Sequence, residues 1–468
     1  MTQTEIEVYK EAFRLLWERE RWSDSPDDLR DKLEMEKLDR TSMFYQALLH
    51  KNYCVHRNWW FLPWHRAYLF YFERLLQEAV RDLNPPKSPT IPYWNWTDDR
   101  DIPPMFRGKF PDNPLGNNRR FYSRPLEDRD VGEGKIITSV DNKHSFTDFG
   151  SWPATKLYEE TGDSEFENTI HTAVHFCIGG KRDGRLGDLR RFETAAFDPI
   201  FWSHHANIDR LWNRWLCNRE REHKNPDITH PQDKPWHEMR FDMFVDKQRK
   251  KLNKTVAEIM DCPEIRSVVY LPHGEEPPQC VPPIPLSHRS SHRNIVYVAT
   301  AKADHHQPLI INKGTQISVS LDALQRRQLA TIAATETDQD DSKVVLLIRG
   351  IRLNEKLPDL YVRAFLNKRA NAATPSSDES HIGHFFLYLT GHRRQHPIEP
   401  GQTHIEEFNH ALHLTPALRR LQRLGKLNSA KPLEVTLVLL PTDDSASDPK
   451  PPANLKLPFR EAILQISR

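Results

Sequence analysis

The sequence predicts a mainly α fold with long irregular loops, followed by a β-sandwich-like C-terminal domain. Three observations carry this. Apolar residues recur at helical spacing through 4–23, 42–50, 64–82, 164–178 and 199–215. A proline-rich stretch, PHGEEPPQCVPPIPLS at 272–287, has the composition of a linker. Beyond it, NIVYVATA, QISVSLDAL, SKVVLLIRGI, DLYVRAFLN, HFFLYLTG, LEVTLVLLP and EAILQISR are strand-like and separated by turn signals, with one helix near 415–424. The expected organisation is a helical domain over 1–224, a linker with a short helix over 225–290, and a β-rich domain over 291–468.

Composition narrows the partners. In 468 residues, Lys+Arg number 66 and Asp+Glu 65, so net charge gives no reason to expect nucleic acid or an anionic membrane. No apolar run reaches the roughly 18 residues a spanning helix needs. The N-terminus is amphipathic and charge-rich, without the apolar centre of a signal peptide, so a cytoplasmic location is expected. Five cysteines, at 54, 177, 217, 262 and 280, form neither a disulfide framework nor a CxxC zinc site. The loops at 370–380 and 441–452 read as mobile.

The helices carry most of the histidines of interest. In the second, Met43, Ala47 and His50 share a stripe. The next stretch, CVHRNWWFLPWHRAYLFYFE at 54–73, puts His65 on an inward stripe with Leu69, Phe72 and Leu76. Pro63 lies between His56 and His65, so His56 approaches from a preceding loop. Residues 105–163 are rich in Gly, Pro, Asp and Asn and read as loops. Ser164 and Glu167 then form an S-x-x-E capping box, and Gly179-Gly180 closes the helix that follows. On it His171 and His175, at i and i+4, can offer two imidazoles to one ion. The string is HTAVH, and without a glutamate between the histidines a zinc-protease reading fails.

Asp198 and Pro199 open the last long helix as N-cap and first helical residue. Its apolar stripe is Phe201, Ile208, Leu211, Trp212 and Trp215. His204 and His205 flank that stripe about 100° apart, and periodicity does not choose between them. Asp209, one turn beyond His205, can orient an imidazole or pair with a neighbouring arginine.

Collected, the histidines form two sets: His50, His56 and His65, and His171, His175 with one of His204/His205. The plain alternative is an aromatic core with satisfied imidazoles. As ligands, three imidazoles leave coordination positions open for a small molecule, and two such sets suggest metals roughly 3.5–4 Å apart. Imidazole suits Zn, Cu, Fe and Ni, and copper binds tightest among these divalent ions. The lack of carboxylates argues against di-iron, di-manganese and di-zinc hydrolase chemistry.

CVHRNWWFLPWHRAYLFYFE and DPIFWSHHANIDRLWNRW resemble the two copper signatures of the type-3 copper proteins: tyrosinases, catechol oxidases and molluscan haemocyanins. The resemblance covers residues 40–220, and extends more faintly to 236–248 and to YVRAFLN. It implies a four-helix-bundle copper domain holding two copper ions, one on His50, His56 and His65, the other on His171, His175 and His205. His204, Asn207 and Asp209 become supporting residues. It also implies a thioether between Cys54 and His56, a water-holding Glu167, and an aromatic gate at Phe192. Thr172 stands where relatives that hydroxylate monophenols carry asparagine, and Phe176 walls the entrance. The implied activity is a polyphenol oxidase taking o-diphenols to o-quinones with O2, monophenol hydroxylation being less expected. The partners are O2 and phenolic small molecules, and the β-rich domain covers a latent site. A haemocyanin-like oxygen carrier is the alternative, against which the lack of internal repeats argues.

Overall fold

The computed structural model describes residues 1–20, 34–122, 124–127, 146–183, 185–221, 233–268, 270, 297–302, 307–335, 342–354, 357, 360–387, 405–428, 431–442 and 451–467. The expected linker at 272–287, Cys280 and most of the loop at 441–452 lie outside them.

Helix α1 (Gln3–Glu18) opens with a reciprocal capping box between Thr2 and Glu5, and buries Tyr9, Ala12, Phe13 and Leu16. Helix α2 (Met43–Tyr53) is capped by Ser42, whose hydroxyl accepts from Tyr45 N. Helix α3 (Phe61–Ala79) begins three residues earlier than periodicity indicates. Pro63 falls in its first turn, where a missing N–H costs nothing because no acceptor precedes it. After the short helix α4 (Phe146–Gly150) comes a π-helical segment, Phe166–His171, continuous with α5 (Thr172–Gly179). Gly180 ends it at φ +62, where a side chain would collide with the Phe121 carbonyl. Helix α6 is Ile200–Arg221. Phe72 of α3 stacks on Trp202 of α6, ring centroids 3.4 Å apart at 9°.

Residues 233–268, expected as part of a linker, pack into the helical core. Trp236, Phe241, Phe244, Val256 and Ile259 are buried in it. The indoles of Trp60 and Trp236 each donate to a backbone carbonyl across the contact, of Trp236 and Trp59 respectively. A large apolar surface there outweighs the polar, proline-rich composition of the flanks.

The C-terminal part holds strands β1 (Tyr297–Lys302), β2 (Gly314–Val319), β3 (Lys343–Asn354), β4 (Leu360–Leu366), β5 (His381–Leu387), β6 (Ile405–His413), β7 (Leu433–Pro441) and β8 (Glu461–Ser467). They form two antiparallel four-stranded sheets, ordered β5-β4-β7-β2 and β6-β3-β8-β1. Inward residues of both sheets, including Val362, Val435 and Leu437 from one and Leu346, Ile348 and Leu464 from the other, share one core. Helix Thr415–Arg423 lies where the sequence predicts it. The loop at 370–380, expected to be mobile, is tied down: the Arg363 guanidinium donates to the carbonyls of Ala372 and Thr374, and the Asp378 carboxylate accepts from Ser380.

Candidate metal centre

Helix α2 delivers His50 from its last turn, α3 delivers His65 from the start of its second, and the loop between them delivers His56. The π-helical segment ends on His171, α5 carries His175, and α6 carries both His204 and His205. All seven are buried. Two clusters result, His50/His56/His65 and His171/His175/His204/His205, each with its ligand-type atoms within 4.8 Å of one another. The clusters face each other: His65 stacks on His205 at 4.3 Å and 6°, and His56 on His171 at 5.5 Å and 30°. Every histidine the sequence singled out therefore reaches the centre.

The ring nitrogens are oriented by main chain. Nδ1 of His50 donates to Phe192 O at 2.9 Å, that of His65 to Phe61 O at 2.8 Å, that of His171 to Glu167 O at 3.1 Å, and that of His175 to Leu189 O at 2.7 Å. A carbonyl only accepts, so each Nδ1 carries the proton and each Nε2 keeps a lone pair. Nε2 of His171 has no hydrogen-bond partner among the described residues, and Nε2 of His175 lies 3.3 Å from Nε2 of His205. Buried lone pairs converging like this fit a divalent cation of imidazole preference. His204 differs. Its Nδ1 accepts from the Trp96 indole at 3.1 Å, which puts its proton on Nε2 and leaves no lone pair for an ion.

Burial also keeps the four rings of the second cluster neutral, the state in which an imidazole can ligate. Desolvation lowers the pKa of His171, His204 and His205 well below the usual imidazole value, and that of His175 to about 4.

Glu167 sits between the two halves. Its carboxylate accepts from Arg57 N at 2.7 Å and from the Ser151 hydroxyl. The expected capping box is completed indirectly: Ser164 Oγ accepts from Glu167 N, while Ser164 N donates to Ser151 Oγ rather than to the carboxylate. Burial, with Asp163 nearby, raises the Glu167 pKa well above the ordinary carboxylate value. Its carbonyl takes the Thr172 N–H, the Thr172 hydroxyl and His171 Nδ1, three donors that the widened π turn brings to one oxygen.

The other expected residues are placed as follows. Phe192 packs edge-on against His56, ring centroids 4.5 Å apart, and lies 5.9 Å from His175. Phe176 has Arg190 above its ring at 4.7 Å and Phe386 of β5 at 5.9 Å. Cys54 is buried at the C-terminal end of α2, and burial pushes its thiol pKa well up. Asp209 does not orient an imidazole: its two oxygens accept from Arg66 at 2.6 Å and Tyr270 at 2.7 Å. Asn207 accepts from Arg210 at 2.8 Å. Sequence reasoning missed Trp96, Ser151 and the orienting carbonyls, because a main-chain acceptor leaves no mark in residue type.

Two opposed histidine clusters on a helical scaffold, able to hold two metal ions, define the class of this protein. Residues 40–145 and 107–218 match the family model described as the common central domain of tyrosinase. A tyrosinase from Hahella sp. is 32% identical over 241 residues, 47% of this chain and 48% of that protein. Polyphenol oxidase E, chloroplastic, from Solanum lycopersicum is 30% identical over 278 residues, 49% of this chain and 43% of its own. The chain thus spans about half the length of the curated relatives it matches. In fold it is similar to latent apple tyrosinase, with a TM-score of 0.65 at 19% identity, over 100% of this chain and 95% of that one. The matched central domain and these relatives indicate the type-3 copper tyrosinase and polyphenol oxidase family.

The cytoplasmic expectation is overturned. The plant relatives, Catechol oxidase B of Solanum tuberosum among them, are chloroplastic proteins. Cys217 is moreover disulfide-bonded, which the irregular cysteine spacing did not announce and a reducing compartment disfavours. No helix among the described residues is long and apolar enough to cross a membrane.

Proposed function

We propose that this chain is a copper-dependent polyphenol oxidase that converts o-diphenols to o-quinones at the expense of O2. The observation that carries the reading is the pair of facing histidine sets whose Nε2 lone pairs converge while backbone carbonyls hold Nδ1. His50, His56 and His65 would hold one copper, and His171, His175 and His205 the other, their helical segments packing as a four-helix bundle. Copper bound there supplies O2 binding and accepts two electrons from the diphenol. The protein's share is orientation and exclusion of water: Phe192 forms an aromatic wall over His56, and Phe176 lines the approach.

Catechol oxidation is favoured over monophenol hydroxylation. The Thr172 hydroxyl spends its one proton on the Glu167 carbonyl, so it has no donor left to orient a water beside His171 as an amide would. We further propose a Cys54–His56 thioether, an S–C bond formed in place of S–H and C–H, with O2 as the two-electron acceptor. The β-rich part is proposed to shield the site, because Phe176 and Phe192 are buried in its core cluster. Asn168, moreover, pairs with both backbone polar groups of Phe386.

The test is copper content and catechol turnover followed as quinone absorbance with O2 consumption. Two copper ions per chain and turnover that rises after limited proteolysis are expected. Reversible O2 uptake without quinone would favour the oxygen-carrier alternative.

A further inference from the structure

We propose that Arg57 is a positioning residue for the His50/His56/His65 set, and that the β-rich part completes this set through Phe408 rather than merely covering it. The inference rests on the copper reading above and deepens it. Arg57 directly follows His56 and is fully buried, in the left-handed region at φ +59. Such a conformation persists in a non-glycine residue only where the surroundings hold it. Here they do so from four directions. Its N–H donates to Glu167 Oε1 at 2.7 Å, and its carbonyl accepts from Thr161 N at 3.1 Å and Gly162 N at 3.0 Å. Its guanidinium donates to Glu160 at 2.8 Å and lies over the Phe408 ring at 4.3 Å.

The last contact comes from β6, and a local irregularity makes it work. Register shifts between Phe408 and His410, a β-bulge that lets three consecutive residues reach the helical part instead of alternating faces. Phe408 covers Arg57, Asn409 Nδ2 donates to Glu160 O at 3.1 Å, and His410 is hydrogen-bonded to Asp163. The segment 160–163 that receives them is the one whose N–H groups grip the Arg57 carbonyl. A buried guanidinium needs a countercharge and a polarisable face, and the ring of Phe408 supplies the second. Through Arg57 and Glu167 the same network reaches His171, so one strand of the β-rich part bears on the loop histidine of one set and the helix that carries the other.

The experiment uses full-length protein loaded with copper and challenged with a chelator, copper per chain being followed over time. The variants are Phe408→Leu, which keeps an apolar side chain but removes the ring face, and Arg57→Gln. A His65→Ala chain, which keeps only the second set, provides the reference rate for that site. In Phe408→Leu one copper equivalent is expected to leave roughly tenfold faster, the low end of the roughly 10–100-fold known for groups that orient ligands. The other should leave at the reference rate. Arg57→Gln should accelerate the same equivalent further. Both equivalents leaving Phe408→Leu at wild-type rates, or both accelerating alike alongside a lowered melting temperature, would overturn the proposal and leave Phe408 a packing residue. A wild-type chain that takes up no copper would overturn the copper reading, and this inference with it.

Discussion

Acidification of the metal-free protein should expose how much neutral imidazole is stored in the centre, and His175 gives the size of the effect. Unfolded, its ring takes up a proton near pH 6.5; folded, burial defers this to about 4. Between those values the unfolded chain binds more protons, so stability falls as pH falls, and the loss is complete below about 4. At about 1.4 kcal/mol for each tenfold change in proton affinity, His175 alone withdraws roughly 3 kcal/mol, a large share of the 5–15 kcal/mol of an ordinary domain. His171, His204 and His205 shift in the same direction and add to the slope. The perturbation is His175→Asn, whose amide can donate to Leu189 O as the imidazole does yet never titrates. Denaturant unfolding of metal-free wild type and variant, followed by tryptophan fluorescence from pH 7.5 to 4, measures the difference. The wild type should lose about 3 kcal/mol more than the variant across that range. Parallel curves would mean that water reaches the folded imidazole, and the argument from its burial would fail.

Other outcomes follow from the same geometry. His205→Ala should abolish one copper equivalent, whereas His204→Ala should retain both and lose stability by about 1–3 kcal/mol because the buried Trp96 N–H is left without an acceptor; equal copper loss in the two, by metal analysis, would refute the tautomer assignment. Ser151 joins Glu167 to Ser164 N at φ +73. Ser151→Ala should therefore cost about 2–3 kcal/mol of metal-free stability, and Ser151→Gly about 1 kcal/mol less, since glycine takes that conformation without strain; a costlier glycine variant in thermal unfolding would contradict this. Glu167 is an acid whose pKa is raised on folding, so its stabilising contribution is present at acid pH and is lost as pH rises above the unfolded value near 4.3. Glu167→Gln should flatten that decline and stabilise the metal-free protein at pH 8, as unfolding curves at pH 5 and 8 would reveal.

The sequence carried much of this because helical period and chelation share the same residues. His171 and His175 at i and i+4, and His50 and His65 on apolar stripes, announced their faces before any coordinates. Choosing between His204 and His205 was beyond periodicity, since both flank the stripe. The choice turned on a tryptophan more than a hundred positions away, and one-dimensional spacing holds no information about such a partner. The π turn at Phe166–His171 was read as ordinary helix, because one extra residue in a turn leaves no compositional trace. Asp209 looked like an imidazole partner by spacing alone, but Arg66 and Tyr270, from other parts of the chain, took its carboxylate first. Residues 233–268 read as linker because their flanks are polar and proline-rich. Their burial depends on Trp59, Trp60 and Trp64, which the local segment does not contain.

The carbonyls of Phe61, Glu167, Leu189 and Phe192 set the rotation of four imidazoles, and a carbonyl cannot be mutated away. Point substitutions beside the centre should therefore leave ligand aim largely intact, while a proline, a deletion or an inserted residue that shifts those peptide planes should spoil it. Evolution can repaint the walls around such a centre without re-registering the rings. It cannot as easily change the length of the chain between them.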